Sequence, residues 1–297
     1  MTAELAGRRA VVTGSNSGIG YATALGLARA GAEVTLACRK AEPAHRAADQ
    51  IRKAVPGAQL TVARLDLASL RSVQAFAEAW DGPLHLLVNN AGVMAPPAWT
   101  PTADGFELQF GTNHLGHFAL TGRLLPALLA AGDARVVTVS SLLHRRGSRD
   151  VLRGNPAERY SPQRAYANSK LANLLFAFEL QRRAAGLLSS TAAHPGVAST
   201  NLVRSRDGMG ANPVIRHGSR LFGALFFQSA AAGAESTLYA ALRAEPGSYT
   251  GPRGPNGMRG RPGPAKPSRL ACDVELAGEL WQRSEELTGV RYEWVRD

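Results

Sequence analysis

A tyrosine and a lysine stand four residues apart in Tyr166-Ala-Asn-Ser-Lys170, and this pair could carry acid–base chemistry. Residues i and i+4 of a helix lie on one face, so the phenol and the ammonium would point into the same space. A phenol has an ordinary pKa of about 10, and a nearby cation favours the phenolate and lowers that pKa. The pair could therefore exchange a proton with an alcohol or ketone. The spacing also occurs by chance, so the rest of the chain decides its meaning.

A glycine-rich turn follows the first apolar run, 8–13, and precedes a helical pattern over 18–30. Glycines there allow a tight turn and let the helix N-terminus approach a pyrophosphate. The Gly-x-x-x-Gly-x-Gly spacing differs from the commoner Gly-x-Gly-x-x-Gly spacing, and alone it could be only a flexible turn. Its position between strand and helix favours a dinucleotide site. The predicted binding residues are Gly14, Ser15, Asn16, Ser17, Gly18, Ile19 and Gly20.

The end of the second predicted strand reads Cys38-Arg39-Lys40 and carries no carboxylate. An acidic residue at this point would bind the ribose 2′-hydroxyl of NAD(H), whereas an arginine accommodates the 2′-phosphate of NADP(H). Arg39 and Lys40 could also be merely a solvated helix start. The sequence therefore favours NADP(H) over NAD(H), with Arg39 and Lys40 as binding residues.

Predicted strands and helices alternate along the chain, as in βαβ units of a parallel sheet. Such units would place the glycine turn, Arg39 and the Tyr166–Lys170 pair. This pattern predicts a single-domain α/β Rossmann fold over 1–297, doubly wound, with a mostly parallel central sheet and helices on both faces. Three irregular segments interrupt it, and we call them the first, second and third flaps. The predicted strands are 8–13, 33–37, 59–64, 84–88, 135–140 and 190–194, the helices are 18–30, 41–54, 69–79, 104–130 with a break near Pro126, 164–185, 229–243 and 273–287, and the flaps are 142–163, 199–228 and 245–269.

The net charge of +11 over 297 residues suggests an acidic partner, of which nucleic acid is the usual candidate. Arginine supplies most of this charge, and no nucleic-acid-binding motif accompanies it. A solvated basic surface is the preferred interpretation, and no nucleic-acid partner is predicted.

The cysteines, the N-terminus and the histidines indicate where the protein is located and whether it binds a metal. The two cysteines, Cys38 and Cys272, form no disulfide or metal-ligand pattern, which favours a reducing cytoplasm. The N-terminus shows no apolar run long enough for a signal peptide or membrane anchor. The histidines have no metal-ligand spacing, so no metal is predicted.

With these motifs assembled, the chain resembles the short-chain dehydrogenase/reductase family over nearly its whole length. Within the family, Asn113-His-Leu-Gly-His-Phe118 and His194-Pro-Gly-Val197 are most similar to the branch of retinol dehydrogenases, WW-domain oxidoreductases and protochlorophyllide reductases. The resemblance implies a catalytic set of Asn113, Ser141, Tyr166 and Lys170, and cofactor contacts from Asp66, Leu67, Asn90, Ala91, Gly92, Tyr166, Lys170, Pro195, Gly196, Val197 and Thr200.

The resemblance also implies a mechanism, reversible hydride transfer between the nicotinamide and a carbonyl or alcohol carbon. Ser141 would hold the substrate oxygen, and Tyr166 would move the proton. Lys170 would bind the nicotinamide ribose and lower the Tyr166 pKa, and Asn113 would hold a water. Ser141 is chosen over Ser140 by family spacing, since neighbouring strand residues point to opposite faces.

The sequence is also compatible with several alternatives. An NADP(H)-binding redox sensor on the same fold is the runner-up, although it would not need a proton donor, and C=C reduction of the protochlorophyllide type is a third possibility. A homodimer or homotetramer could form through 104–130 and 164–185. Apolar residues that would surround the site if the flaps fold over it predict a bulky apolar substrate, whereas flap arginines could select an acidic or carrier-bound one. The apolar residues are Met94, Trp99, Leu142, Leu143, Leu202, Val203, Met209, Leu221, Phe222, Phe226 and Phe227, and the arginines are Arg145, Arg146, Arg204, Arg206 and Arg220.

Overall fold

A computed structural model describes residues 4–197 and 228–294 of the chain. Within these residues, the strands form one eight-stranded sheet in the order β3-β2-β1-β4-β5-β6-β7-β8, in which only the pair β7–β8 is antiparallel. The strands are β1 (Arg9–Thr13), β2 (Glu33–Cys38), β3 (Leu60–Arg64), β4 (Leu86–Asn89), β5 (Arg135–Val139), β6 (Ser189–Ala193), β7 (Tyr249–Pro252) and β8 (Pro262–Pro264).

Helices cover both faces of this sheet, as predicted. The described helices are α1 (Gly18–Arg29), α2 (Ala41–Ala54), α3 (Leu70–Glu78), α4 (Leu108–Phe110), α5 (Gly116–Arg123), α6 (Leu125–Ala130), α7 (Pro162–Ala184), α8 (Ala230–Leu242) and α9 (Val274–Thr288). A π-helical turn, Gly111–Leu115, joins α4 to α5. None of the described helices is long and apolar enough to cross a membrane.

The two-sided core follows from the alternation of side chains along a strand. Val11 and Val12 are neighbours in β1 and both are fully buried. Val11 packs in a cluster with Phe118 of α5, whereas Val12 packs in a second cluster with Leu27 of α1. Continuous apolar strands such as β1 are therefore buried on both faces, which is typical of parallel sheets.

The strand order places a crevice where β1 lies between β2 and β4. Because the connections leave β1 and β4 in opposite directions along the sheet, the carboxyl ends of these strands are open to a ligand. The glycine turn after Thr13 and the segment after Asn89 both emerge at this edge. The fold therefore brings the predicted cofactor motifs together.

Two parts of the secondary structure differ from the prediction. The third flap contains β7 and β8, so much of it belongs to the sheet. These strands have only 4 and 3 residues and are rich in glycine and proline, which hides them from pattern analysis. The first flap forms three short 3₁₀ helices, at Leu142–Arg146, Arg149–Arg153 and Ala157–Arg159. The second flap lies outside the described residues except for Gln228.

Candidate functional site

A cavity of about 570 Å³ opens at the carboxyl ends of the strands. Most of the residues predicted to bind a cofactor or react line it, together with the apolar side chains of Met94, Leu142 and Leu143. The predicted residues in its wall are Gly14, Asn16, Ser17, Gly18, Ile19, Gly20, Arg39, Asp66, Leu67, Asn90, Ala91, Gly92, Ser141, Tyr166, Lys170, Pro195, Gly196 and Val197.

Of the predicted residues that the structure describes, three are not in this wall. The Ser15 hydroxyl is fully buried and donates to the Val12 carbonyl oxygen at 2.9 Å, so its side chain fixes the turn from inside. Lys40 is exposed and does not reach the cavity. Asn113 is buried behind the wall. Thr200 lies outside the described residues.

The glycine turn brings the backbone close to the end of β4. Gly14 has a φ of +65°, a conformation that favours glycine. A Cβ added at Gly20 would lie 2.5 Å from both Asn90 Nδ2 and the Gly14 carbonyl oxygen. Ser17, at the N-cap of α1, makes no side-chain capping hydrogen bond. The amino end of α1 therefore presents backbone N–H groups to the cavity, where an anion such as a pyrophosphate binds favourably.

Thr13 and Asn90 lock the two cofactor motifs to each other. The Thr13 Oγ1 accepts the backbone N–H groups of Asn90 and Ala91, each at 2.9 Å. In return, Asn90 Nδ2 donates to the Thr13 carbonyl oxygen at 2.7 Å. The residues after β4 thus support the turn after β1, as the family resemblance implies.

Asn113 lies in the π-helical turn and ties the cavity wall to α7. Its Nδ2 donates to the Val93 carbonyl oxygen at 3.0 Å and to Ser169 Oγ at 2.9 Å, while its Oδ1 accepts the Val93 N–H at 2.8 Å. Its carbonyl oxygen lies 2.9 Å from His117 Nδ1. The Asn113 side-chain amide is therefore occupied by hydrogen bonds within the protein. Single π-helical turns of this kind are frequent at functional sites.

Tyr166 and Lys170 share one face of α7, as their spacing predicts. The Lys170 Nζ lies 5.8 Å from the centre of the Tyr166 ring and donates to the Val139 carbonyl oxygen at 3.1 Å. Both side chains are buried, with exposed fractions of 7% for Tyr166 and 3% for Lys170. The packing of α7 against the end of β5 therefore fixes the ammonium beside the phenol.

The structure contradicts the expected lowering of the Tyr166 pKa. Burial raises the pKa of Tyr166 to about 12, although a hydrogen bond with Ser141 acts in the opposite direction. Burial also lowers the pKa of Lys170 to about 8. Both changes have one cause, since a water-poor site disfavours the charged form of each group. In the protein by itself, the effect of desolvation on the Tyr166 pKa outweighs that of the hydrogen bond with Ser141.

The two serines after β5 have different partners. The Ser140 hydroxyl donates to the Lys170 carbonyl oxygen at 2.7 Å, and its side chain is buried. Ser141 is partly exposed, its Oγ accepts the Leu143 N–H at 3.2 Å, and it forms a hydrogen bond with Tyr166. Ser140 therefore fixes α7 to the sheet, and Ser141 presents its hydroxyl beside the phenol.

Trp99, His117 and His144 lie outside the wall of the cavity. Trp99 donates from Nε1 to the Asn155 carbonyl oxygen and does not line the cavity. Sequence reasoning assigned no role to His117 or His144, yet their rings contact the backbones of Asn113 and Ser141. A histidine within four residues of Asn113 and another within four residues of Ser141 were the available signal. Among the described residues, no three His, Cys, Asp or Glu side chains are grouped to hold a metal.

Comparisons with known sequences identify close relatives. A sequence model of the family described as short chain dehydrogenase matches residues 8–209. Retinol dehydrogenase 13 from Homo sapiens is 39% identical over 303 residues, covering 99% of this chain and 88% of the relative. Polyprenol dehydrogenase from Mus musculus is 41% identical over 297 residues, covering 95% of this chain and 84% of the relative.

Solved structures share the fold over similar lengths. A protein of uncharacterised function from Mycobacterium paratuberculosis has a TM-score of 0.79 and 43% identity, covering 99% of both chains. The Pseudomonas aeruginosa RhlG/NADP active-site complex has a TM-score of 0.63 and 25% identity, covering 83% of this chain and 95% of that one. A Burkholderia phymatum protein in complex with NAD has a TM-score of 0.60 and 25% identity, covering 80% and 86%. Similar structures thus hold either NADP or NAD.

Proposed function

The chain belongs to the short-chain dehydrogenase family of oxidoreductases, and from this premise we propose that it transfers hydride between NADP(H) and a carbonyl or alcohol carbon. The observation that carries the proposal is the meeting of Ser141, Tyr166 and Lys170 in one cavity with the glycine turn. A redox sensor on the same fold, which is the alternative, would not need a proton donor and so would not need Ser141, Tyr166 and Lys170 together. When bound, the nicotinamide supplies or accepts the hydride.

The described residues fit a dinucleotide along this cavity. The amino end of α1 would hold the pyrophosphate, and Asp66 and Leu67 would lie beside the adenine. Lys170 and the turn Pro195–Val197 would bind the nicotinamide half. Arg39 lines the cavity at the end of β2, where it would pair with a 2′-phosphate. This arginine, in a position without a carboxylate, supports NADP(H) as the cofactor.

The proton chemistry follows from the hydrogen bonds of Ser141 and Tyr166. Ser141 Oγ accepts the Leu143 N–H, and its single O–H, which faces Tyr166 in the protein alone, would donate to a substrate oxygen when one is bound. Tyr166, with a pKa of about 12, keeps its proton at neutral pH and can pass it to a carbonyl oxygen during reduction. The Lys170 ammonium donates to the Val139 carbonyl oxygen and lies 5.8 Å from the centre of the Tyr166 ring.

The substrate that fits best is a bulky apolar aldehyde, ketone or alcohol. Met94, Leu142 and Leu143 form an apolar wall near Ser141 and Tyr166. The relatives named above are a retinol dehydrogenase and a polyprenol dehydrogenase, whose named substrates are long apolar alcohols. A cytoplasmic location remains a prediction from the sequence.

The test is NADPH consumption with retinal, a polyprenal, a steroid ketone, a short aliphatic ketone and an anionic keto acid, each repeated with NADH. We expect turnover with NADPH that favours the long apolar compounds. Tyr166→Phe should lower turnover about a hundredfold or more while NADPH still binds. Tyr160→Phe is the matched control, since that phenol donates to the Pro96 carbonyl oxygen outside the cavity. Turnover that survives in Tyr166→Phe would refute the mechanism, and NADPH binding without any turnover would favour the redox sensor.

A further inference from the structure

The His144 ring lies between the Ser141 backbone and the C-terminal part of the chain. Its Nδ1 lies 2.6 Å from the Ser141 carbonyl oxygen, and its Nε2 accepts the backbone N–H of Ser268 at 3.1 Å. The side chain is 1% exposed and does not line the cavity. His144 is thus a buried bridge between two segments that are distant in sequence.

These two contacts fix the protonation state of the ring. A neutral imidazole carries one N–H and one bare nitrogen. Since Nε2 accepts an N–H, the proton must be on Nδ1, which donates it to the Ser141 carbonyl oxygen. Burial lowers the pKa of His144, and this outweighs the raising effect of the hydrogen bond to Ser141. The ring is therefore neutral at pH 7, with its Nδ1–H pointing at Ser141.

Ser141 is held at both of its polar ends. Its carbonyl oxygen accepts the backbone N–H of His144 at 3.1 Å as well as the ring Nδ1–H, at the start of the 3₁₀ helix Leu142–Arg146. Its Oγ accepts the Leu143 N–H. Because the carbonyl group and the side chain are joined through one Cα, a shift of the carbonyl would also move the hydroxyl.

The His144 ring also packs against the sheet. The Tyr249 ring, in β7, meets the His144 ring edge-on at 5.6 Å between centres and 89° between planes, and the Tyr249 hydroxyl oxygen lies 3.5 Å from His144 Nδ1. The Arg145 guanidinium also donates to the Lys266 carbonyl oxygen at 3.1 Å. The same C-terminal region holds the turn at 195–197, since the Met258 carbonyl oxygen accepts the Val197 N–H at 2.9 Å. This region therefore contacts both halves of the site.

We propose that His144 is a positioning residue for the oxidoreductase reaction, an inference that rests on the function proposed above. The ring fixes the Ser141 backbone relative to Ser268. It thereby keeps the Ser141 hydroxyl beside Tyr166 and the substrate oxygen. His144 touches neither substrate nor cofactor, so it acts only through Ser141.

Three substitutions separate the two hydrogen bonds. The amide nitrogen of His144→Asn can take the place of Nδ1 and keep the donor to Ser141. The amide oxygen of His144→Gln can take the place of Nε2 and keep only the acceptor for Ser268. His144→Phe removes both. His85→Phe is the matched control, because His85 Nδ1 accepts the Arg9 N–H at 3.1 Å at the amino edge of the sheet.

With NADPH and retinal, kcat should be high in the variants that keep a side-chain N–H donor to the Ser141 carbonyl oxygen and low in those that lose it. We expect kcat to fall about tenfold or more in His144→Phe and His144→Gln, since small misplacements of a catalytic group are costly. His144→Asn should recover most of kcat, the NADPH Kd should stay within about twofold in all variants, and His85→Phe should keep the wild-type kcat. Equal losses in the Asn and Phe variants, an unchanged kcat in the Phe variant, or a parallel loss of NADPH affinity would overturn the inference.

A second measurement does not depend on turnover. Nitrogen-15 NMR of histidine-labelled protein should show an Nδ1–H imidazole signal that is lost in His144→Asn, whereas the Nδ1–H signal expected of His117, which lies 2.9 Å from the Asn113 carbonyl oxygen, should remain. An Nε2–H or cationic His144 at pH 7 would overturn the inference even in an active enzyme. If wild-type protein binds NADPH but reduces no carbonyl compound, the proposed function fails, and the NMR result still decides the bridge. If His144→Phe does not fold, the comparison of the Asn and Gln variants provides the kinetic test.

Discussion

Replacing Lys170 with methionine should stabilise the protein while abolishing its activity. Lys170 is 3% exposed, and burial lowers its pKa from 10.5 to about 8. A pKa difference of one corresponds to about 1.36 kcal/mol, so burying the ammonium costs about 3 kcal/mol at pH 7. The hydrogen bond to the Val139 carbonyl returns about 1 kcal/mol of this. Methionine has a similar length and no charge, so Lys170→Met should gain about 2 kcal/mol at pH 7.

The pH dependence tests the cause of this gain. The Lys170 pKa is lower in the folded state than in the unfolded state, so the cost of burial is fully present below about pH 8. It disappears as pH rises toward 10.5, where the unfolded chain also loses the proton. The advantage of Lys170→Met should therefore shrink between pH 8 and pH 10.5.

The assay is urea-induced unfolding of both proteins at pH 7, 8.5 and 10, with NADPH turnover measured alongside. Lys266→Met is the control, since Lys266 is a lysine outside the cavity and should change stability little at any of these pH values. A Lys170→Met variant that is less stable than wild type at pH 7, or whose gain is the same at all three pH values, would refute the argument from desolvation.

Three further substitutions test the site and the core. Gly20→Ala should cost about 1–3 kcal/mol of unfolding free energy and weaken NADPH binding, because the added Cβ would lie 2.5 Å from the Gly14 carbonyl oxygen. Arg39→Ala should raise the NADPH Kd by about 10- to 150-fold and leave the NADH Kd unchanged, since a charge-assisted hydrogen bond contributes about 1.5–3 kcal/mol. Trp281→Ala should lower the unfolding free energy by about 3–5 kcal/mol, because the ring is 2% exposed and packs on Phe118 at 5.1 Å.

Each of these has a matched control. Gly278→Ala in α9 should be harmless, since nothing lies within 4 Å of the added Cβ. Lys40→Ala should leave both cofactor affinities unchanged, as Lys40 does not line the cavity. Val274→Ala, at a residue 59% exposed on α9, should change stability little. Equal effects in any variant and its control would contradict the corresponding argument, as would an Arg39→Ala variant that loses NADH and NADPH affinity alike.

The packing of α9 also bears on the oligomer predicted from the resemblance. Trp281 packs on Phe118 of α5 and on Phe176 of α7, so the chain covers with its own residues part of the helices expected to form an interface. We therefore expect a monomer of 31.4 kDa. Analytical ultracentrifugation would show this, and a stable dimer or tetramer at micromolar concentration would contradict it.

Local sequence was sufficient for most of the fold. Period-two and period-3.6 patterns report burial directly, and the ends of α2 at Ala41 and Ala54 were predicted without error. Strands β7 and β8 were missed because 4 and 3 residues are too few for a periodicity, and their pairing depends on β6, far earlier in the chain. The sequence also placed Tyr166 and Lys170 on one helix face, since that relation depends only on helical geometry.

The electrostatics of the site and its supporting residues depended on tertiary structure. The Tyr166 pKa rises because several elements together exclude water from the phenol, and no local pattern records that burial. Likewise, the contact of His144 with Ser268 joins residues 124 positions apart. The sequence by itself determined which chemical groups are present and which edge of the sheet they occupy. Only the tertiary structure decided their protonation and their partners, because both depend on long-range packing that encloses the site.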